Sequence, residues 1–549
     1  MKTRLMLLLV LTALFACGPA PPADREASTT LTTRLGAAST FASPSAAISA
    51  TGGPYVHKVQ GAGSWYPADA GRLQAAVNAY VEQADFVTLS GRLLAVIVPH
   101  AGYVYSGGVA GFSFRALRDA GCANHVIAVI GDTHTGNGSA QIAVWAEGAF
   151  ETPLGSITVD ETVARALIDA DDRIQFDRAA FTDEHPVENQ LPFIQTVCPG
   201  ARIVPVVIRR ASMDNARILA DALTAAMADR QALIVASTDL SHYHPYAEAQ
   251  ALDAVAVQAI TSLDPQKVAD SPQRCTELGL GGSAPQTMCS QGAVMTAIVA
   301  AKSMGANRAT LLHYANSGDV PIGERDQVVG YAAVALWASQ DGLAVPTSQP
   351  DPELTVDVVV EGSEEALPLS PQARHELLGL VRQTLTQFLT TETFPAFQTA
   401  DPALLQPRGA YVTYEEQGQL RGCLGRIEAD RPTFLNVQYA AVAAALADPR
   451  FPPIDLIELE DLTVEITLLG PVEPVDDPGQ IEIGRHGILM RVGEDKAALF
   501  LPQVPLEQGW DLETTLLNLS RKAGLADDAW QRDDARFFVL TGQWFGEDE

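Results

Sequence analysis

Basic residues are scarce in this chain: 36 Lys and Arg stand against 66 Asp and Glu, a net charge of −30 over 549 residues. No Lys/Arg run is long enough to hold a phosphate backbone against that repulsion, so no nucleic acid partner is expected. Two hydrolase signatures are missing, since neither His-Glu-x-x-His nor Gly-x-Ser-x-Gly occurs. A Cys-x3-Cys-x2-Cys iron–sulfur motif is absent as well, which removes radical chemistry on a bound cluster. The apolar stretch from Leu5 to Ala16 is too short to cross a bilayer as a helix.

That short stretch follows Met1-Lys2-Thr3-Arg4 and precedes Cys17, the pattern of a signal peptide over 1–17. Leu14-Phe15-Ala16-Cys17 resembles a bacterial lipobox, whose cysteine is acylated and becomes the new N-terminus. The expectation is an exported protein, lipid-anchored through Cys17 on the periplasmic or outer face of the bacterial cell envelope; an ordinary secretory signal is the alternative. Residues 18–52, rich in Ala, Ser, Thr and Pro, read as a flexible tether. Without Cys17 five cysteines remain, an odd number in an oxidising compartment, so at least one thiol stays unpaired.

The 47% hydrophobic content can fill more than one core. From 92 to 336, apolar β-branched runs at 94–98, 126–130, 203–208, 233–236 and 328–336 alternate with amphipathic stretches near 70–83, 161–170, 214–228, 247–262 and 290–303. This predicts an α/β domain over 53–340 with a largely parallel sheet covered by helices. Prolines and acids mark a linker at 341–367, and a separate α+β domain follows over 368–549. Its expected helices are 372–389, 433–446 and 511–523, with strands at 410–414, 462–469 and 497–501.

Reacting groups in open α/β sheets gather at the carboxyl ends of strands. Three apolar runs end there in a histidine: Pro99-His100-Ala101, Asp132-Thr133-His134 and Thr238-Asp239-Leu240-Ser241-His242. Imidazole and carboxylate converging at one edge suit a divalent transition metal, and the residues alone give His100, His134 and Asp239 as the set. His185, in Asp183-Glu184-His185-Pro186-Val187-Glu188, reads as support around that site. Cys289 is either a thiolate ligand, activated by a metal or by the helix behind it, or half of a disulfide with Cys275.

Gly63-Ser64-Trp65-Tyr66-Pro67, Val98-Pro99-His100-Ala101-Gly102-Tyr103, Glu184 to Phe193 and Ser237 to Tyr243 closely resemble the Memo family, over roughly 55–338. The resemblance implies a fold like the class III extradiol dioxygenases, with a metal, Fe(II) or Cu, held by His100, His134 and Cys289. It also implies that Asp239 and His242 line the pocket, His242 as the proton-transfer residue. Leu420-Arg421-Gly422-Cys423-Leu424-Gly425, Ala447 to Pro453 and Gly484 to Ile488 resemble the AMMECR family, over about 368–546. There Arg421 could bind an anionic ligand beside Cys423, the glycines allowing close approach, or the motif is a tight strand with a buried cysteine.

The pairing resembles the AmmeMemoRadiSam system, which implies a radical S-adenosylmethionine enzyme as a partner. Two functions follow as expectations: a metal-dependent oxidoreductase acting on an unknown small molecule or peptide, or a non-catalytic scaffold that binds such a ligand in the same pocket.

Overall fold

The computed structural model describes residues 55–339, except 87, 283 and 284, and residues 367–547, except 494 and 495. The expected signal peptide, Cys17, the tether at 18–52 and positions 341–366 of the linker lie outside the described residues. The chain divides into two compact units, one within Ala46–Val358 and one made of Val359–Leu389 and Phe394–Glu549.

Four strands form the centre of the larger unit: Gly91–Val98, Ala232–Ser237, Val126–Asp132 and Arg202–Ile208, side by side in that order and all parallel. Their side chains are almost wholly buried, because helices cover both faces, and this is why they read as unbroken apolar runs. The flanks are not parallel. Val328–Ser339 runs antiparallel to Gly91–Val98 and pairs in turn with Arg308–Asn316 and His242–His244. At the other edge Ile142–Val144 runs antiparallel to Arg202–Ile208.

Helices Ala70–Gln83, Glu161–Ala170 and Met213–Met227 start where Asp69, Asp160 and Ser212 accept an amide of the first turn. Besides the short Leu191–Val197, two longer helices of this unit escape sequence reading. Tyr103–Asp119 contains Gly107, Gly108 and Gly111, which look like a loop. Gly107 and Gly111 instead let Tyr80 press against the helix, since a Cβ at 107 would lie 2.5 Å from the Tyr80 ring and one at 111 only 2.3 Å from its carbonyl oxygen. Pro265–Glu277 is disguised by Pro265 in its first turn and Pro272 inside it.

Cys122, beyond the end of helix Tyr103–Asp119, is bonded to Cys198, beyond the end of helix Leu191–Val197. Cys275 and Cys289 are free, so the alternative of a Cys275–Cys289 bridge is not realised. Among the described residues no helix is long and apolar enough to cross a membrane.

The smaller unit is a six-stranded antiparallel sheet in the order Gln419–Arg426, Ala410–Glu416, Leu462–Val475, Ala535–Gly546, His486–Val492, Lys496–Phe500. Helices Pro371–Thr391 and Thr433–Leu446 contribute to one apolar cluster and Leu512–Lys522 to another, giving this unit its own core. It is the α+β domain that the sequence predicts.

Candidate metal centre

His100 and His134 follow the carboxyl ends of the parallel strands Gly91–Val98 and Val126–Asp132, and Cys289, just before helix Gln291–Ser303, is tied to the same edge by its amide's bond to Asp239 O. One donor atom from each of the three lies within 4.8 Å of the other two. Cys289 Sγ is 3.1 Å from His100 Nε2, and the His100 and His134 rings are 5.0 Å apart, nearly perpendicular.

Hydrogen bonds fix which nitrogen of each ring is free. Ser237 Oγ donates its only proton to the carbonyl of Pro186 at 2.6 Å and accepts from Gln190 Nε2 at 2.8 Å. That Gln190 nitrogen also donates to Pro99 O, which sets the amide's orientation. His100 Nδ1, 3.0 Å from Ser237 Oγ, must therefore be the donor, which leaves a lone pair on Nε2 facing the sulfur. His134 Nδ1 faces Asp132 O at 3.0 Å and His242 Nδ1 faces Leu240 O at 2.9 Å; a carbonyl only accepts, so both rings carry their proton on Nδ1.

Burial pushes His100 well below the usual imidazole range, and the neighbouring His185, His134 and His242 push it further. Burial also lowers His134, His242 and His185, the last to about 3. The four imidazoles are thus neutral near pH 7. The Cys289 thiol moves the other way, pushed far above its usual range by burial and then by Asp239. The helix behind it gives no relief, because Asp132 occupies its N-terminus: Gly292 N and Ala293 N donate to the Asp132 carboxylate at 2.8 and 2.9 Å. Two imidazole lone pairs and a sulfur that only a cation can readily deprotonate fit a transition metal.

Asp239, the carboxylate that the residues alone select as ligand, is not in the donor group. Its Oδ1 accepts the amides of His100 at 2.7 Å and Ala101 at 3.2 Å, while Oδ2 stays 4.0 Å from His100 Nε2. Burial pushes it up to about 7, against the pull of those two amides. His242 also stands outside the donor group, near enough to lower His100 electrostatically.

His185 lies against both ligand rings, 5.1 Å from His100 and 4.7 Å from His134, and Trp65 stacks flat on it at 4.2 Å. His134, Glu184 and His185 form a second close group. Glu184 Oε1 is already spent there: it accepts the amides of His134 and Thr135 and the hydroxyls of Thr133 and Thr135. Glu184 thereby shapes the loop that carries His134. Sequence reading gave no role to Glu184, Asp132, Ser237, Gln190 or Trp65; all stand in or beside the motifs, yet only their partners reveal what they do.

In the smaller unit the guanidinium of Arg421 is engaged within the protein. It makes a bidentate pair with Glu458, at 2.8 and 3.1 Å, and donates to Pro452 O. Cys423 is buried; its amide donates to Asp448 and its carbonyl accepts from Arg450. The glycines make room for the fold, not for a ligand: a Cβ at 422 would lie 2.3 Å from Ala444 O and one at 425 only 2.1 Å from Ala410 O. The two sequence motifs are thus bonded to one another, Arg421 to Pro452 O and Cys423 to Asp448 and Arg450.

The fold and site define a two-domain α/β plus α+β protein with a candidate metal centre in its first domain. The model of the Memo-like proteins matches residues 58–335, and that of AMMECR1 matches residues 378–545. The chain is similar to the MEMO1 family protein MK0963 of Methanopyrus kandleri, 38% identical over 244 residues, covering 44% of this chain and 82% of that protein. It is also similar to a MEMO1 family protein of Pyrobaculum arsenaticum, 34% identical over 290 residues, 51% of this chain and 98% of that one. The uncharacterized protein PH0010 from Pyrococcus horikoshii, a solved structure, matches at 33% identity with a TM-score of 0.31, covering 32% of this chain and 90% of that one. The chain belongs to the Memo family and carries an AMMECR1 domain after its Memo-like domain.

Proposed function

We propose that the Memo-like domain is a metal-dependent redox protein related to the extradiol dioxygenases, holding Fe(II) or Cu through His100, His134 and Cys289. The observation that carries this reading is the convergence of their donor atoms within 4.8 Å, with the Nδ1 proton of each ring committed elsewhere. The ion supplies a one-electron couple and open positions for a substrate. His242 Nε2, a lone pair on a neutral ring, takes a proton from a bound substrate hydroxyl and can return it. Asp239 holds the His100 backbone, and the His185–Trp65 stack forms a flat wall beside the ligand rings.

We further propose export and lipid anchoring through Cys17, with service to a radical S-adenosylmethionine enzyme in an AmmeMemoRadiSam system and a small molecule or peptide as substrate. The Cys122–Cys198 bridge supports an oxidising compartment.

Metal content of anaerobically purified protein tests the ligand set: stoichiometric ion is expected in the wild type and loss in His100→Ala and Cys289→Ser. Content unchanged by both substitutions rejects the set. Oxygen consumption by the loaded protein should fall at least tenfold in His242→Gln; indifference to that change removes the redox role of His242.

A further inference from the structure

Helix Gln291–Ser303 begins two residues after Cys289, and its natural cap is Ser290. The hydroxyl of Ser290 makes no cap; it accepts the amide of Asp132 at 3.2 Å. The cap comes from across the fold. Both oxygens of the Asp132 side chain receive first-turn amides, Gly292 N at 2.8 Å and Ala293 N at 2.9 Å, from 160 and 161 residues away. The carboxylate sits so close that a Cβ on Gly292 would lie 2.8 Å from Oδ1 and 3.0 Å from Oδ2.

The same residue faces the other ligand. Asp132 O accepts the Nδ1 proton of His134 at 3.0 Å, which aims the free Nε2 lone pair into the site. Asp132 thus ties the end of strand Val126–Asp132 to the start of the helix behind Cys289, and orients an imidazole with its own carbonyl. We infer that Asp132 is the positioning residue that brings the Cys289 sulfur and the His134 imidazole into register around one ion, its side chain setting the sulfur and its carbonyl the ring. This rests on the metal reading above. Partners of this kind around metal ligands are worth roughly 10–100-fold in affinity.

Co(II) titration of the full chain under reducing, anaerobic conditions tests it, reading both affinity and the sulfur-to-cobalt charge-transfer band. Asp132→Asn removes one acceptor at constant shape, and Gly292→Ala pushes the intact carboxylate off the helix. Each should weaken Co(II) binding about 10–100-fold and diminish the sulfur band. Asp160→Asn, the same change at the N-cap of helix Glu161–Ala170 in the same domain, gives up the ion pairs with Arg202 and Arg230 and should lower stability while leaving Co(II) binding unchanged. If Asp132→Asn does not fold, Gly292→Ala decides alone.

Wild-type affinity and band in the folded variants, with the band lost in Cys289→Ser, overturn the inference and leave the metal reading standing. A loss of Co(II) binding in Asp160→Asn equal to that in Asp132→Asn also overturns it, by reducing Asp132 to an ordinary cap. A wild type that takes up no Co(II), or a band that survives in Cys289→Ser, overturns the metal reading and the inference together.

Discussion

An imidazole binds a cation only while it is neutral, and here burial keeps it so. His185 shows the consequence most clearly: its ordinary value of 6.5 falls to about 3 in the folded chain. As pH drops, the unfolded chain takes up this proton first. The stability that neutral His185 contributes is therefore present above about 6.5 and lost as pH falls toward 3. Asp132, Asp239 and Asp253, raised by burial to about 7, run the opposite way: their contribution is present below about 4 and lost as pH rises through 7. The two slopes overlap, so a single stability curve hides both. In metal-free protein, the stability difference between wild type and His185→Gln should grow as pH rises from about 4 to about 6.5, read by urea unfolding. A difference that stays constant across that window refutes the assignment. Of the site residues, His100, His134 and His242 are legible because each follows a long apolar run. Cys289 follows none, so the residues alone left it open between a thiolate ligand and a disulfide partner and put Asp239 in the ligand set; the family likeness is what set the cysteine beside the two histidines. Asp132 read only as a polar residue between the apolar run and His134, because nothing near it in sequence reveals a helix start 160 positions later.

Among the elements, segment Glu184–Gln190 does the most to assemble the site. Glu184 holds the His134 loop, Asn189 Nδ2 donates to His100 O at 2.7 Å, and Gln190 reaches both Pro99 O and Ser237. Glu188 accepts the amides of Gln60 and Gly61 and the hydroxyl of Tyr66, fixing the loop that lays Trp65 on His185. Sequence reading drew from this segment only His185, as support around the site. Its glutamates are buried and bonded to loops more than a hundred residues earlier for Glu188 and about fifty for Glu184, a pairing no local pattern encodes. The central strands and the amphipathic helices were legible to within a few residues because periodicity is local; strands Arg308–Asn316, Gln419–Arg426, His486–Val492 and Ala535–Gly546 were not read, nor was the glycine-bearing helix Tyr103–Asp119, whose glycines serve a neighbour. That helix is stapled to Leu191–Val197 through Cys122 and Cys198, which are 76 residues apart. Replacing both cysteines by alanine should cost about 2–4 kcal/mol in denaturant unfolding. An unchanged midpoint, or equal masses of reduced and non-reduced protein after alkylation, contradicts the bridge.

At the scale of the molecule, the chain divides into two units with separate cores. The smaller one spends its most distinctive residues on itself, with Arg421 on Glu458 and Asp448 and Arg450 on the Cys423 backbone. The larger one gathers positions 100, 134 and 289 at one rim of its sheet, so a single ion reports on nearly the whole of its topology. X-ray absorption at the metal edge of the full chain, loaded with Fe(II) anaerobically, measures that gathering directly. The expected spectrum shows two imidazoles and one sulfur as nearest neighbours of the ion, with the sulfur alone missing in Cys289→Ser. A wild-type spectrum with no sulfur neighbour, or one that Cys289→Ser leaves intact, contradicts the account.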